Sequence, residues 1–416
     1  MSDSLFNAAL GRDAPQLHVL LVGVSEYRHL PGVPEFDPAR SAKRTFGLGQ
    51  LTSPRLSASE LADWFLTKHN NPDTPLGSVE LLLSPAEYTP NAAAATKLGI
   101  APESSVTVPL ASFDALREAT DRWFDRLNAL RENIGLFYFC GHGLEASDRY
   151  LLAADFAADP KNLDQGIINF QQTFRNMARC KASTQCYLLD ACRDSPDQLR
   201  VAASEGKVGR PIIDPRPGPV LGRNAPIYHA AAPEKPAFGP PGEKSFFARA
   251  LLDCMNGMAA RAGGDPQFFS IDHASLGQAL PEYVDRLAEE HGLELRCLTD
   301  GGDAQLPDLP ELHRAPAPVD VLTKIFCRPR EAHAVAQLSV TDVGGKITPR
   351  PVTGPKPWRV TLRSGKHTVS ATFAKDVGFS EERTEITVVP TPIFSVPVPI
   401  RQRDPNDVNA SGDSSI

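Results

Sequence analysis

Five short apolar runs, at 17–24, 79–83, 135–140, 185–190 and 226–231, punctuate the first three hundred residues and read as β-strands. Segments with helical spacing lie among them, at 57–68, 111–132, 170–180, 244–257 and 273–291. Strands and helices that alternate in this way predict an α/β sheet with right-handed crossovers. In the second of these helices Phe113, Leu116, Ala119, Trp123, Leu127 and Leu130 form one apolar stripe, which assigns Trp123 to the core. After Pro310 the period changes. From Ala336 onward, short runs such as 337–340, 358–362, 367–373 and 385–389 alternate apolar and polar positions between Gly- and Pro-containing turns, which predicts a small all-β sandwich over 319–402. The polar tail 403–416 is expected to be disordered.

Composition narrows the function classes. A net charge of −7 disfavours nucleic acid as a partner, because phosphate binding needs concentrated Lys and Arg. No apolar run approaches the roughly 20 residues that cross a bilayer, and the first residues lack a basic, hydrophobic leader, so no membrane partner and a cytoplasmic location are expected. Seven cysteines without metal-like spacing fit a reducing compartment, and no metal site or cofactor is expected. Six of them, Cys140, Cys180, Cys186, Cys254, Cys297 and Cys327, read as small buried hydrophobes.

The seventh stands in a different context. The strand 135–140 runs into Gly141-His142-Gly143, and the strand 185–190 runs into Asp190-Ala191-Cys192-Arg193. Neighbouring parallel strands deliver their C-terminal ends to one edge about 5 Å apart, so His142 and Cys192 are placed to meet. An imidazole beside a thiol raises its thiolate fraction and later protonates a leaving amine. The glycines permit tight turns and leave backbone N–H groups free to face a substrate carbonyl.

The spacing of 50 positions between His142 and Cys192, together with the Asp190-Ala191-Cys192-Arg193 run, resembles the caspase, metacaspase and paracaspase group of peptidases in its prokaryotic form. Leu17 to Val24 resembles the family's first strand, 51–66 the helix after it, and Ile227 to Pro233 with Lys244 to Leu252 the start of its small subunit. The resemblance implies a mostly parallel caspase-like sheet flanked by helices over 14–310, followed by the sandwich. It divides the first part into a large-subunit-like 14–194, an exposed linker loop 195–224 and a small-subunit-like 225–310. It further implies a Cys192 nucleophile, a His142 acid/base, and an oxyanion site made by the backbone N–H groups of Gly143 and Cys192.

Metacaspases and their bacterial relatives carry an Asp two residues before the nucleophile, here Asp190, which implies cleavage after Arg or Lys. The bland alternative makes Asp190 a strand-end carboxylate bonded to nearby backbone. A second acidic residue is common at the start of the family's first helix. Here Ser57 takes its place, and Asp37 is the candidate substitute. Calcium dependence, known among metacaspases, has no supporting Asp cluster. In caspases the region that corresponds to 195–224 links the two subunits. It carries Arg200, Lys207, Arg210, Arg216 and Arg223 among prolines, which makes these residues candidate sites of activating cleavage by the enzyme or an upstream protease, with control by a regulatory protein as a further expectation. Protein substrates and a role in bacterial stress response or anti-phage defence follow from family habit. The main alternative is a catalytically silent caspase-like scaffold whose sandwich recruits partners. A nucleotide-binding α/β protein is disfavoured, since no phosphate-cradling loop follows the first strand.

Overall fold

The computed structural model describes residues 4–8, 11, 13–34, 36–37, 45–159, 165–204, 208–232, 239–263, 265–300 and 310–403. Two compact units emerge, one formed by 1–254 with 272–314 and the other by 255–271 with 315–416. The segment 255–271, expected within the peptidase domain, therefore belongs to the second unit.

The first unit is built on a seven-stranded sheet. Its elements in chain order are β1 (Phe6–Asn7), β2 (Leu17–Val24), α1 (Ser53–Thr67), β3 (Leu76–Ser84), α2 (Phe113–Leu127), β4 (Ile134–Gly141), β5 (Gly143–Glu145), β6 (Arg149–Leu152), β7 (Ile167–Asn169), α3 (Phe170–Met177), β8 (Thr184–Ala191), α4 (Asp197–Ser204), β9 (Ile227–His229), α5 (Phe246–Asp253), α6 (His273–Glu290) and β10 (Leu298–Asp300). The strand order is β1-β3-β2-β4-β8-β9-β10. Strands β3, β2, β4, β8 and β9 are parallel, and the two outer strands are antiparallel to their neighbours. Strands β5, β6 and β7 form a separate small antiparallel sheet.

Strands β2, β4 and β8 are buried along their whole length, which explains why they read as continuous apolar runs. Because side chains alternate, Leu20, Val22, Phe137, Phe139, Tyr187 and Leu189 pack in one cluster with Trp123 and Phe170 from α2 and α3. Trp123 is a core residue, and its indole N–H donates to the His18 carbonyl at 2.9 Å. The opposite residues, including Tyr138 and Asp190, meet the side that carries α1 and α5, where Ser245 contacts Asp190.

Helix α1 starts four residues before its apolar pattern does, because Pro54 occupies its first turn, where a missing N–H costs nothing. Helix α2 is shorter at both ends than the expected 111–132, and α5 ends at Asp253, short of the expected 257. Ser245 caps α5 by accepting from the Ala248 N–H at 2.9 Å.

The segment 195–224 differs from the exposed, helix-poor linker that its prolines suggest. It opens with α4, and beyond 205–207, which lies outside the described residues, Val208, Ile212, Ile213 and Arg223 are buried. Arg210 forms a parallel bridge with Ile168: its N–H donates to the Ile167 carbonyl at 3.1 Å and its carbonyl accepts from the Asn169 N–H at 2.9 Å. Between these anchors 214–222, with Pro215, Pro217 and Pro219, is mostly exposed and without helix or strand, as the prolines predict.

The second unit holds β11 (Asp320–Arg328), β12 (Gln337–Asp342), β13 (Ile347–Pro349), β14 (Trp358–Arg363), β15 (Gly365–Thr372), β16 (Glu382–Val388) and β17 (Phe394–Pro399). These form a three-stranded sheet β14-β11-β17 and a four-stranded antiparallel sheet β13-β12-β15-β16. His367, Val369 and Ala371 of β15 are buried while the residues between them are not, the period of two that the sequence displays. Residues 404–416, expected as a disordered tail, lie outside the described residues.

Candidate active site

Strands β4 and β8 pair in parallel so that Cys140 faces Asp190 and Gly141 faces Ala191. The next residue on each strand is His142 or Cys192, so both leave the sheet at the same level. Gly143 then passes directly over the Cys192 segment. A Cβ placed there would lie 2.5 Å from the Cys192 carbonyl oxygen and 2.8 Å from the Ala191 Cβ, an approach open only to glycine. Thus the structure brings Gly143 and Cys192 together as the sequence suggests.

His142 is 8% exposed. Its Nε2 lies 2.7 Å from the Gly49 carbonyl oxygen. A carbonyl can only accept, so Nε2 carries the proton and a neutral ring presents Nδ1 as its basic nitrogen. Burial lowers the His142 pKa, and the Gly49 bond and the Asp194 charge offset this only in part. The imidazole is therefore neutral, and able to accept a proton, at physiological pH.

Two residues that support this histidine escaped sequence reasoning. The Tyr27 hydroxyl accepts from the His142 backbone N–H at 2.7 Å, and its ring lies 4.9 Å from the imidazole. Gly141 is small for the same reason, since a Cβ there would sit 2.8 Å from the Tyr27 oxygen. Gln50 accepts from the Tyr27 N–H at 2.7 Å and donates to the carbonyls of Tyr27, Leu30 and Pro31. It thereby fixes both Tyr27 and its own neighbour Gly49. The only signal in the sequence was polar residues in a short stretch after an apolar strand.

Asp190 is 3% exposed. Its Oδ2 accepts from the Tyr138 hydroxyl at 2.7 Å and from the Ser245 hydroxyl. Ser57 Oγ accepts the Ser245 N–H at 3.0 Å, which places Ser57 in the same group. Burial raises the Asp190 pKa, and hydrogen bonds from Ser245, Tyr138 and Cys140 offset this only in part. Among the described residues no cation pairs with it. The bland reading of Asp190 as a cap on nearby backbone gives way to side-chain donors. Asp37, the expected second acidic wall, is instead exposed on the chain between β2 and α1, and Ser57 stands beside Asp190.

The candidate cleavage residues have diverse surroundings. Arg200 is exposed on α4 and contacts Asp197. Lys207 lies outside the described residues. Arg210 stacks over Phe113 at 4.7 Å, and Arg216 stacks over Phe124 while pairing with Asp121 at 2.7 Å. Arg223 is 1% exposed, stacked on Phe174 and bonded to Gln185 and the Phe174 carbonyl. As a cleavage site Arg223 is excluded by that burial, because a protease must draw several residues of extended chain into its cleft.

A family model described as the caspase domain matches residues 105–300, which include β4, β8, His142 and Cys192. Over these residues the chain is similar to caspase-like cysteine peptidases, and the match supports a caspase-like domain. The caspase-like sheet extends beyond the matched range, since β2, α1 and β3 precede residue 105 and pair or pack within it. The chain is also similar to the protein named "Uncharacterized protein y4kE" of Sinorhizobium fredii, at 25% identity over 341 residues that cover 77% of this chain and 94% of that one. Among the described residues, no group of three or more His, Cys, Asp or Glu side chains could hold a metal ion, and no helix is long and apolar enough to cross a membrane.

Proposed function

We propose that this caspase-like protein is a cysteine endopeptidase that cleaves proteins after Arg or Lys. The observation that carries the reading is the common level at which β4 and β8 end, one residue before His142 and Cys192, together with the His142 Nε2 proton held by the Gly49 carbonyl. In this reaction the Cys192 sulfur attacks the scissile carbonyl and the backbone N–H groups of Gly143 and Cys192 stabilise the oxyanion. His142 accepts the thiol proton and gives it to the leaving amine. Water then hydrolyses the thioester, with His142 acting as base.

Asp190 supports the choice of a basic P1 residue. A buried carboxylate without a cation partner is costly, and a Lys ammonium or Arg guanidinium would supply the missing charge. Activation by a cut within 195–224 fits the surroundings of Arg200 and Arg210 among the described candidates. Arg200 and Arg210 are exposed, whereas Arg223 is buried.

Replacing Cys192 by Ala is expected to abolish hydrolysis of an Arg-amide peptide while circular dichroism and thermal midpoint stay unchanged. Turnover by the Cys192→Ala protein comparable with that of the wild type would defeat the assignment.

A further inference from the structure

The residue after the nucleophile is an arginine that the proposed chemistry does not use. Arg193 is 9% exposed, and its guanidinium grips Glu145 with a two-point fork, Nε to Oε2 and Nη2 to Oε1, each 2.7 Å. Glu145 ends β5, the three-residue strand that begins with Gly143. Its backbone N–H donates to the Asp194 carbonyl at 2.8 Å, beside a parallel bridge between Leu144 and Asp194. The segments Gly143–Glu145 and 192–194 are thus laced together by side chains and backbone just beyond the two N–H groups assigned to the oxyanion.

The network continues away from the site. Arg149, opposite Glu145 in the β5–β6 hairpin, approaches the Glu145 carboxylate at 4.0 Å and donates to Asp300 Oδ2 at 2.7 Å. Its other guanidinium nitrogen donates to His229 Nε2 at 2.8 Å, and the same ring nitrogen lies 3.2 Å from Asp300. Burial, aided by the Arg149 and Arg193 charges, lowers the His229 pKa, which leaves the ring neutral to accept from Arg149. Arg149 therefore couples Glu145 to the ends of β9 and β10.

We infer that the Arg193–Glu145 fork is a positioning device for the oxyanion site. It holds the chain after Cys192 against the chain after Gly143 so that both N–H groups aim at one point. This inference rests on the peptidase reading above. An ion pair this buried costs desolvation that a surface pair would avoid, and a fork fixes orientation as well as distance, which a point charge cannot do.

The test uses the full chain with Arg193→Lys and Glu145→Gln. Removing one oxyanion donor typically costs about 100-fold or more in kcat, so misaiming two donors by a loosened fork should cost about 10- to 100-fold. The expected result is that fall in kcat on an Arg-amide peptide, with KM within threefold of wild type. Alkylation of Cys192 by iodoacetamide, which needs no oxyanion donor, should stay within twofold. Amide hydrogen exchange should quicken over 141–145 and 192–195 and remain unchanged over 134–139. A kcat within twofold of wild type, or exchange unchanged at both segments, would overturn the positioning role. So would a parallel fall in kcat and alkylation with faster exchange along β4, which marks general loosening. If the wild type itself hydrolyses no peptide, the peptidase reading fails, and hydrogen exchange still decides whether the fork holds the two segments together.

Discussion

Glu80 on β3 and Asp190 on β8 are both carboxylates of the central sheet, 1% and 3% exposed, and they are satisfied in different ways. Burial alone would raise the Glu80 pKa, but hydrogen bonds from Arg122, Ser4 and Arg126 outweigh it and hold the carboxyl below its usual range. Asp190 has hydroxyl and thiol neighbours, and burial leaves its pKa raised. One carboxylate is a finished ion cluster near the sheet's edge. The other, two residues before Cys192, is half of such a cluster. The difference teaches where an outside cation would be welcome.

The contrast breaks first in activity. Asp190→Asn should lose at least about 2 kcal/mol of transition-state binding for an Arg substrate, roughly 30-fold or more in kcat/KM, on the scale of a truncated buried charge pair. Glu80→Gln should leave the ratio of Arg to neutral P1 cleavage unchanged. Kinetics on matched peptides measure both, and an equal loss in the two variants would erase the distinction.

Stability should respond with opposite sign. Glu80→Gln leaves two arginines without their carboxylate and should cost about 3 kcal/mol at pH 7. Because the folded pKa of Glu80 is lowered, its contribution is present above the ordinary carboxylate pKa and is lost as pH falls through the folded value. The raised pKa of Asp190 reverses this. Its contribution is full below the ordinary pKa of 3.8 and is lost as pH rises through the folded value. Asp190→Asn should therefore match or exceed wild-type stability at pH 7, with the advantage fading on acidification. Urea denaturation of both variants across pH 4 to 7 tests the pair of signs, and a shared sign would contradict the account.

Smaller effects sharpen the view of the dyad. Tyr27→Phe removes the acceptor of the buried His142 N–H and should cost about 1 to 3 kcal/mol of stability, read by denaturant midpoint. The acid limb of kcat/KM should have its midpoint below 6.5, because burial lowers the His142 pKa and the base is active when neutral. A midpoint above 6.5 would remove His142 from that role.

The parts of the molecule legible in the sequence are those fixed by short-range pattern. Strands β2, β4 and β8 are buried on both faces, so an unbroken apolar run announces each, and the residues that follow them announce the site. The burial of Arg223 was not legible. Arg223 looks like a solvent-facing cleavage point until Phe174 and Gln185, 49 and 38 positions away, are folded against it. Tyr27 and Gln50 were missed for the same reason, since hydrogen bonds across the end of the sheet leave no periodic trace. The excursion of 255–271 into the second unit likewise depends on long-range packing that no local composition marks.

The central claim, a Cys192 peptidase with a basic P1 preference set by Asp190, is tested most directly by a positional-scanning peptide library. Purified full-length protein would be read against Cys192→Ala as the blank. The account predicts cleavage after Arg and Lys that vanishes in the blank. Cleavage that favours Asp or a neutral residue at P1, or signal that persists in Cys192→Ala, would contradict it.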